Sequence, residues 1–145
     1  MAVDQTTLDE IWAIHLPYEL DMMEHTLSLL TLGVCKEGIL ANALIESFCI
    51  HCRALIEFLQ GQGGSDPYWF VQDTFKKPDF ADVAAEIRKL HTQIAHLTGE
   101  RTDDPKKKLD DAARVTLFNK ILSEFETFAM HLKPQYAKTW KAHEI

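Results

Sequence analysis

KEGILANALIESFCIHCRALIEFLQ, from Lys36 to Gln60, is the most informative segment of the chain. At the spacing of a helix, its apolar residues fall on nearly every side: Ile39, Leu40, Leu44, Ile45, Phe48, Ile50, Leu55, Ile56, Phe58 and Leu59. A helix that is apolar nearly all round is normally the buried centre of a protein. The run of glycine, serine and proline at 61–67 ends it. We therefore expect a central helix with other helices packed around it.

Helical spacing of apolar residues continues on both sides of this segment. It predicts a short helix over 7–15 and a second helix that ends near Gly33. Pro17 either ends the first helix or stands at the start of the second. The same spacing also predicts helices from about 79 to 98 and from about 109 to 132, the last ended by Pro134. The basic tail at 133–145 is expected to fray unless Tyr136 and Trp140 dock on the bundle. The predicted fold is all-α, an up-and-down bundle of four main helices plus a short N-terminal helix.

Composition limits the chain to one ordinary globular domain over 1–145. It has 145 residues, of which 46% are hydrophobic, and six Gly and five Pro, too few for the turns of a small β protein. The formal net charge of −7 argues against a general nucleic-acid coat, which is usually basic. The net negative charge lies in residues 1–100, however, whereas 101–145 are mildly basic, and a contact with a polyanion is expected locally, near Arg101, the lysines at 106–108 and the tail.

The cysteines and the N-terminus predict a cytoplasmic protein without cofactors. Cys35, Cys49 and Cys52 are few and odd in number, which favours free thiols. We find no signal peptide and no apolar stretch long enough to span a bilayer, so no membrane partner is expected. The single CxxC at 49–52 lacks a second CxxC or His pair, and no metal is expected. With seven histidines, a metal-dependent bundle enzyme stays as a third alternative.

A narrow polar stripe interrupts the apolar surface of the central helix. Its members fall within about 60° on a helical wheel: Asn42, Glu46, Arg53, Glu57 and Gln60. Because an unpaired buried charge costs free energy, the stripe either faces solvent or lines a polar cleft or a dimer seam. In the solvent-facing case Glu46–Arg53 and Arg53–Glu57 are ordinary surface contacts. Glu46 and Arg53 are our candidate binding residues here.

The predicted fourth helix carries a second group of candidates. Arg88, Thr92 and His96 share one of its sides, at i, i+4 and i+8, and His91 lies beside its apolar stripe. An imidazole works as an acid or base near neutral pH, and an adjacent arginine stabilises the charge of a phosphorane. A metal-independent ribonuclease needs both, so we assign His96 as acid or base, with Arg88 and His91 as charge stabilisers. Alternatively, His91 lies at the edge of the core and His96 at the surface or helix end.

Two segments resemble a known group of proteins. Residues 43–59, ALIESFCIHCRALIEFL, are similar to the central helix of small uncharacterised bacterial proteins with the pattern E-S-x-x-I-H-x-R-x-L-x-x-F. Residues 90–101, LHTQIAHLTGER, are similar to their A-H-L-T-x-x-R helix end. Those proteins resemble the HEPN domains (higher eukaryotes and prokaryotes nucleotide-binding), all-α bundles that commonly dimerise. Many HEPN proteins are RNA-cleaving toxins or defence components with an Arg-x4-His motif, and others are silent binding partners.

The resemblance implies a HEPN-like homodimer that acts as an RNA-associated or defence module, with RNA or a partner protein as its target. His96 takes the place of the motif histidine, while His91 stands where the motif has arginine. Thr92 falls where Asn, Asp or His is common, and Arg88 or Arg101 is the candidate replacement for the missing arginine. We therefore expect a degenerate site, which if active is a metal-independent ribonuclease. The alternative is a non-catalytic dimeric interaction protein.

Overall fold

The structure, a computed structural model, describes residues 2–35, 38–94 and 108–140. It is 73% helical, and the described ranges contain no strand, which confirms the all-α fold. The elements are α1 (Gln5–Glu10), a π-helical segment (Ile11–His15), α2 (Leu16–Thr31), α3 (Gly38–Gln60), α4 (Ala84–Ile94), α5 (Asp111–Met130) and α6 (Pro134–Ala137). Two 3-10 turns, Pro67–Trp69 and Ala81–Val83, lie between α3 and α4. The predicted C-terminal end of the fourth helix falls outside the described residues.

Pro17 does not end the predicted first helix but lies at the start of α2, the second of the two expectations, and α1, the π-helical segment and α2 form one continuous helical run. The backbone keeps helical angles at both junctions, with φ −65° and ψ −46° at Glu10 and φ −65° and ψ −45° at Leu16. Proline lacks an N–H, and inside a helix its ring crowds the carbonyl four residues back. Pro17 instead lies in the first turn of α2, after a widened turn in which the Leu16 N–H donates to the carbonyl of Ile11. The helix therefore passes the proline without ending.

α3 lies at the centre of the fold, but it is not buried all round as its composition suggests. Its buried residues share one face: Ala41, Phe48, Cys49, His51, Cys52, Leu55, Ile56, Phe58 and Leu59. This face packs most extensively against α2 and also against α4 and α5. On the opposite face Ile39 is 90% exposed and Ile50 is 54% exposed. By length and composition alone α3 is the one described helix that could cross a membrane, which departs from our sequence expectation.

Aromatic side chains fill the part of the core where the two ends of the chain meet. Trp12 of the π-helical segment stacks on Phe70 with ring centroids 5.3 Å apart, and its Nε1 donates to Thr139 Oγ1 at 2.8 Å. Tyr136 of α6 is buried against both rings. The tail thus docks through Tyr136 and Trp140, the alternative to fraying, as far as residue 140, and 141–145 lie outside the described residues. An isolated antiparallel bridge, Val71 to Leu132, joins the α3–α4 connection to the end of α5.

Candidate functional site

An open groove of about 390 Å³ lies between α3 and α4. The α3 side contributes Arg53, Glu57 and Gln60, and the α4 side contributes Arg88 and His91. The base of the groove is apolar and is formed by Ile56, Phe80, Ile87 and Leu90. Polar and charged groups therefore surround an apolar base, which is the usual composition of a site for a small ligand.

The end of α3 shapes one side of this groove. Gly61, with φ +69°, follows the last helical residue, and its N–H donates to the carbonyl of Phe58 at 3.0 Å. The next N–H, of Gln62, donates to the carbonyl of Glu57 at 2.7 Å, which completes a Schellman motif. The positive φ favours glycine, since an L side chain is strained there. The motif turns the chain so that Gln62 lines the groove beside Glu57.

Both carboxylates of the groove are already engaged. Arg53 Nε donates to Glu57 Oε1 at 2.7 Å across one turn of α3. Asp79 Oδ1 accepts from the backbone N–H of Ala81 at 2.8 Å, at the start of a 3-10 turn. Because Arg53 uses only its Nε among the described residues, its two terminal nitrogens keep their donors. The groove thus retains guanidinium N–H donors that are not bonded to a carboxylate of the described residues.

Arg88 and His91 lie one helical turn apart on α4, and both are exposed. Within the described ranges neither side chain makes an ion pair. Thr92 does not line the groove, and its hydroxyl donates to the carbonyl of Arg88 at 3.0 Å. That bond occupies the hydroxyl with its own helix backbone.

The structure brings together three of the candidate site residues, Arg53, Arg88 and His91, with Glu57 and Gln60 of the polar stripe. Glu46 is not among them, because it precedes Arg53 by seven residues on α3, about 10.5 Å along the axis. A Glu46–Arg53 contact within one chain is therefore absent, whereas the Arg53–Glu57 contact is present. His96 and Arg101 lie outside the described residues.

Two buried polar groups were missed by sequence reasoning. His51 of α3 is 8% exposed, and its Nδ1 lies 2.5 Å from Glu19 Oε2 of α2. Arg114 of α5 is also buried; its Nη1 donates to the carbonyl of Leu109 at 2.6 Å and its Nη2 pairs with Asp111. A sequence signal existed for Arg114, because it stands at core spacing with Leu117 and Ile121.

Cys49 and Cys52 are buried in α3, and burial suppresses their ionisation. Desolvation raises the pKa of Cys49 to about 12; Arg114 opposes this rise and Glu46 adds to it. Burial also raises the pKa of Cys52 well above its ordinary value. Such thiols are poor nucleophiles and poor metal ligands. In the described part of the chain, no group of three or more His, Cys, Asp or Glu side chains could hold a metal ion.

No family model, no curated protein and no solved structure matches this chain. What the protein does must therefore be inferred from its own residues.

Proposed function

We propose that this protein is an RNA-associated binding module whose α3–α4 groove takes a phosphate group of the RNA. The observation that carries the proposal is the convergence of Arg53, Arg88 and His91 in one open groove. A guanidinium presents a planar set of donors that matches phosphate oxygens, and its hydrogen bonds to an anion are about twice as strong as neutral ones. The imidazole of His91 adds a further N–H donor.

The apolar base of the groove supports a ligand that is more than a free anion. Ile56, Phe80 and Ile87 lie beside the cationic side chains. A nucleotide unit of RNA carries both a phosphate for the guanidinium groups and a ring for apolar contact. The formal net charge of −7 restricts such binding to a local site and disfavours a general coating of nucleic acid.

The proposed function is binding without cleavage. Acid–base cleavage of RNA uses one group to take a proton and a second group to give one. The described groove offers a single imidazole, that of His91, and two guanidinium groups that stay protonated, while its carboxylates are already bonded, Glu57 to Arg53 and Asp79 to the N–H of Ala81. Among the described residues this arrangement supplies charge and hydrogen bonds to a phosphate but leaves no free carboxylate to pair with His91 as acid and base.

The test is binding of a fluorescein-labelled single-stranded RNA of about 12 nucleotides, measured by fluorescence anisotropy. Arg88→Glu should weaken binding at about 50 mM salt by tenfold or more, because a cationic donor becomes a repelling anion. The slope of log affinity against log salt should fall by about one. The matched control is Lys76→Glu, an exposed charge change in the α3–α4 connection at a residue that does not line the groove.

Three results would contradict this proposal. The first is that the unmodified protein fails to bind the RNA at low salt, and the second is that Arg88→Glu and Lys76→Glu weaken binding equally. The third is cleavage of the RNA during the assay, read on a denaturing gel, since the proposal expects the RNA to stay intact. Cleavage that disappears in His96→Ala would instead establish a metal-independent ribonuclease.

A further inference from the structure

The α3–α4 groove has two ends of different chemical character. The cationic end is formed by three basic side chains: Arg53, Arg88 and His91. The other end, here called the Asp79 end, carries one carboxylate and two side-chain amides: those of Asp79, Gln60 and Gln62. A ligand that fills the groove therefore meets cations at one end and a mixture of hydrogen-bond acceptors and neutral donors at the other.

The positions of these residues on the two helices separate the ends. Arg53 precedes Gln60 by seven residues, about 10.5 Å along the axis of α3. His91 follows the start of α4 by seven residues, again about 10.5 Å. Lys77 lies against the glycine that follows α3, which holds the chain before Asp79 beside the end of that helix. Both helices thus place their cationic groups about two turns away from the Asp79 end.

The size of the groove fits one nucleotide unit. Its volume of about 390 Å³ is near the lower limit for small-ligand sites, which hold about 300–1,000 Å³. With the phosphate of that nucleotide at the cationic end, its base extends along the apolar floor to the Asp79 end. The Asp79 end is therefore the part of the groove in which one base is distinguished from another.

The hydrogen bond that Asp79 makes does not require its charge. Asp79 Oδ1 accepts from the backbone N–H of Ala81 at 2.8 Å, a contact that a neutral Asn or Ser side chain also makes. A carboxylate offers about four acceptor positions, and this bond uses one of them. In a groove that binds phosphate, an exposed anion opposes the ligand unless the ligand brings N–H donors to it. The charge of Asp79 therefore indicates a base with such donors.

We propose that the Asp79 end binds the base of the same nucleotide and selects guanine. Guanine carries N1–H and the N2 amino group side by side, and these two donors match the two oxygens of a carboxylate. Adenine and cytosine place a ring-nitrogen acceptor beside their amino group, and uracil has one N–H between two carbonyls. The amides of Gln60 and Gln62 supply N–H donors for guanine O6. This inference rests on the proposed function, because the cationic end must hold the phosphate.

Base preference is measured by fluorescence anisotropy with four labelled single-stranded RNAs of about 12 nucleotides. The first is oligouridine, and in each of the others every fourth base is guanine, adenine or cytosine. The RNA with guanine should bind about tenfold more tightly than the other three, because a bidentate contact discriminates between bases to that extent. The four RNAs carry equal charge, so the contribution of their phosphates is the same at one salt concentration.

Asp79→Asn separates base selection from the structural contact. Asparagine keeps an oxygen for the N–H of Ala81 but replaces an acceptor by a donor, so the preference for guanine should fall to about twofold or less. The affinity for oligouridine should not fall, because a negative charge is removed. The matched control is Asp73→Asn, the same change at an exposed residue that does not line the groove, and it should keep the preference. Circular dichroism checks that both variants keep their helix content.

Replacement of guanosine by inosine tests the contact at a single group of the base. Inosine keeps the N1–H and O6 of guanine but lacks the N2 amino group, so it should bind the unmodified protein severalfold more weakly. Asp79→Asn should bind the two RNAs equally, because its side chain no longer offers two acceptors. A purely structural role of Asp79 would not change the ratio between two such similar bases.

Three outcomes overturn this inference alone: RNA binding without a preference for guanine, a preference that survives in Asp79→Asn, or a preference that is lost equally in Asp73→Asn. If the unmodified protein binds none of the four RNAs, the proposed function is contradicted and this inference fails with it.

Discussion

Phe128→Ala should lower the free energy of unfolding by about 3–5 kcal/mol. The ring of Phe128 is fully buried in α5. It lies within ring-contact distance of five other aromatic side chains, Trp12, Phe58, Phe75, Phe125 and Trp140. These rings come from the N-terminal helix, α3, the α3–α4 connection, α5 itself and the tail. Removing the central ring leaves a cavity that all of these elements line, and close-packed interiors relax only partly around such a cavity.

Urea denaturation followed by circular dichroism measures the loss. The matched control is Met130→Ala, two residues further along α5, where the side chain is 76% exposed. Its effect should stay within about 0.5 kcal/mol, as is usual for surface positions. Equal losses for the two variants would show that the aromatic cluster is not the centre of the core.

The fold class was predictable because it depends on spacing along the chain. The periods of the apolar residues in α2, α3 and α5 are helical, and the stop signals at Gly33 and at 61–67 are local. Spacing alone could not decide whether Pro17 ends the first helix or starts the next, because tolerance of a proline depends on the backbone before it, here a π-helical turn. Sequence spacing gives no direct sign of that turn.

The exposure of α3 was mispredicted for a different reason. A helical wheel shows on which sides of a helix the apolar side chains lie, but it does not show how many other helices are available to cover those sides. In this small bundle α2, α4 and α5 cover one face, and Ile39 and Ile50 remain exposed on the other. The docking of the tail was only an alternative in the sequence, because it depends on long-range contacts, such as that of Trp12 with Thr139, which are 127 positions apart.

Individual residues of the candidate site could be predicted from the sequence, but which of them lie together in one groove could not. Arg53 stood out as a charge on an apolar helix, and Arg88 and His91 as neighbours on one side of another. Only the packing of α4 against α3 shows that these three line one groove while Glu46 does not. The packing also gives Arg114 a buried position, where its Nε has no partner among the described residues.

The rate of thiol labelling should differ strongly between Cys35 and the two cysteines of α3. Cys35 is half-exposed between α2 and α3, whereas Cys49 and Cys52 are buried. The thiolate is the reactive form, and each unit by which the pKa rises lowers the thiolate fraction tenfold at a pH below both values. With its pKa raised from 9.0 to about 12, Cys49 has about a thousandfold less thiolate at pH 8 than an ordinary cysteine. Burial slows the reagent further.

The measurement is labelling with iodoacetamide at about pH 8, near the ordinary thiol pKa, followed by peptide mass spectrometry. Cys35 should be modified in the native protein, and Cys49 and Cys52 only after urea is added. The same pKa shift has a consequence for stability. Because the folded state keeps Cys49 protonated, its contribution to the free energy of unfolding is fully present below pH 9.0, the ordinary pKa, and is lost as the pH rises through about 12. Labelling of Cys49 as fast as Cys35, without denaturant, would contradict the burial of this face of α3.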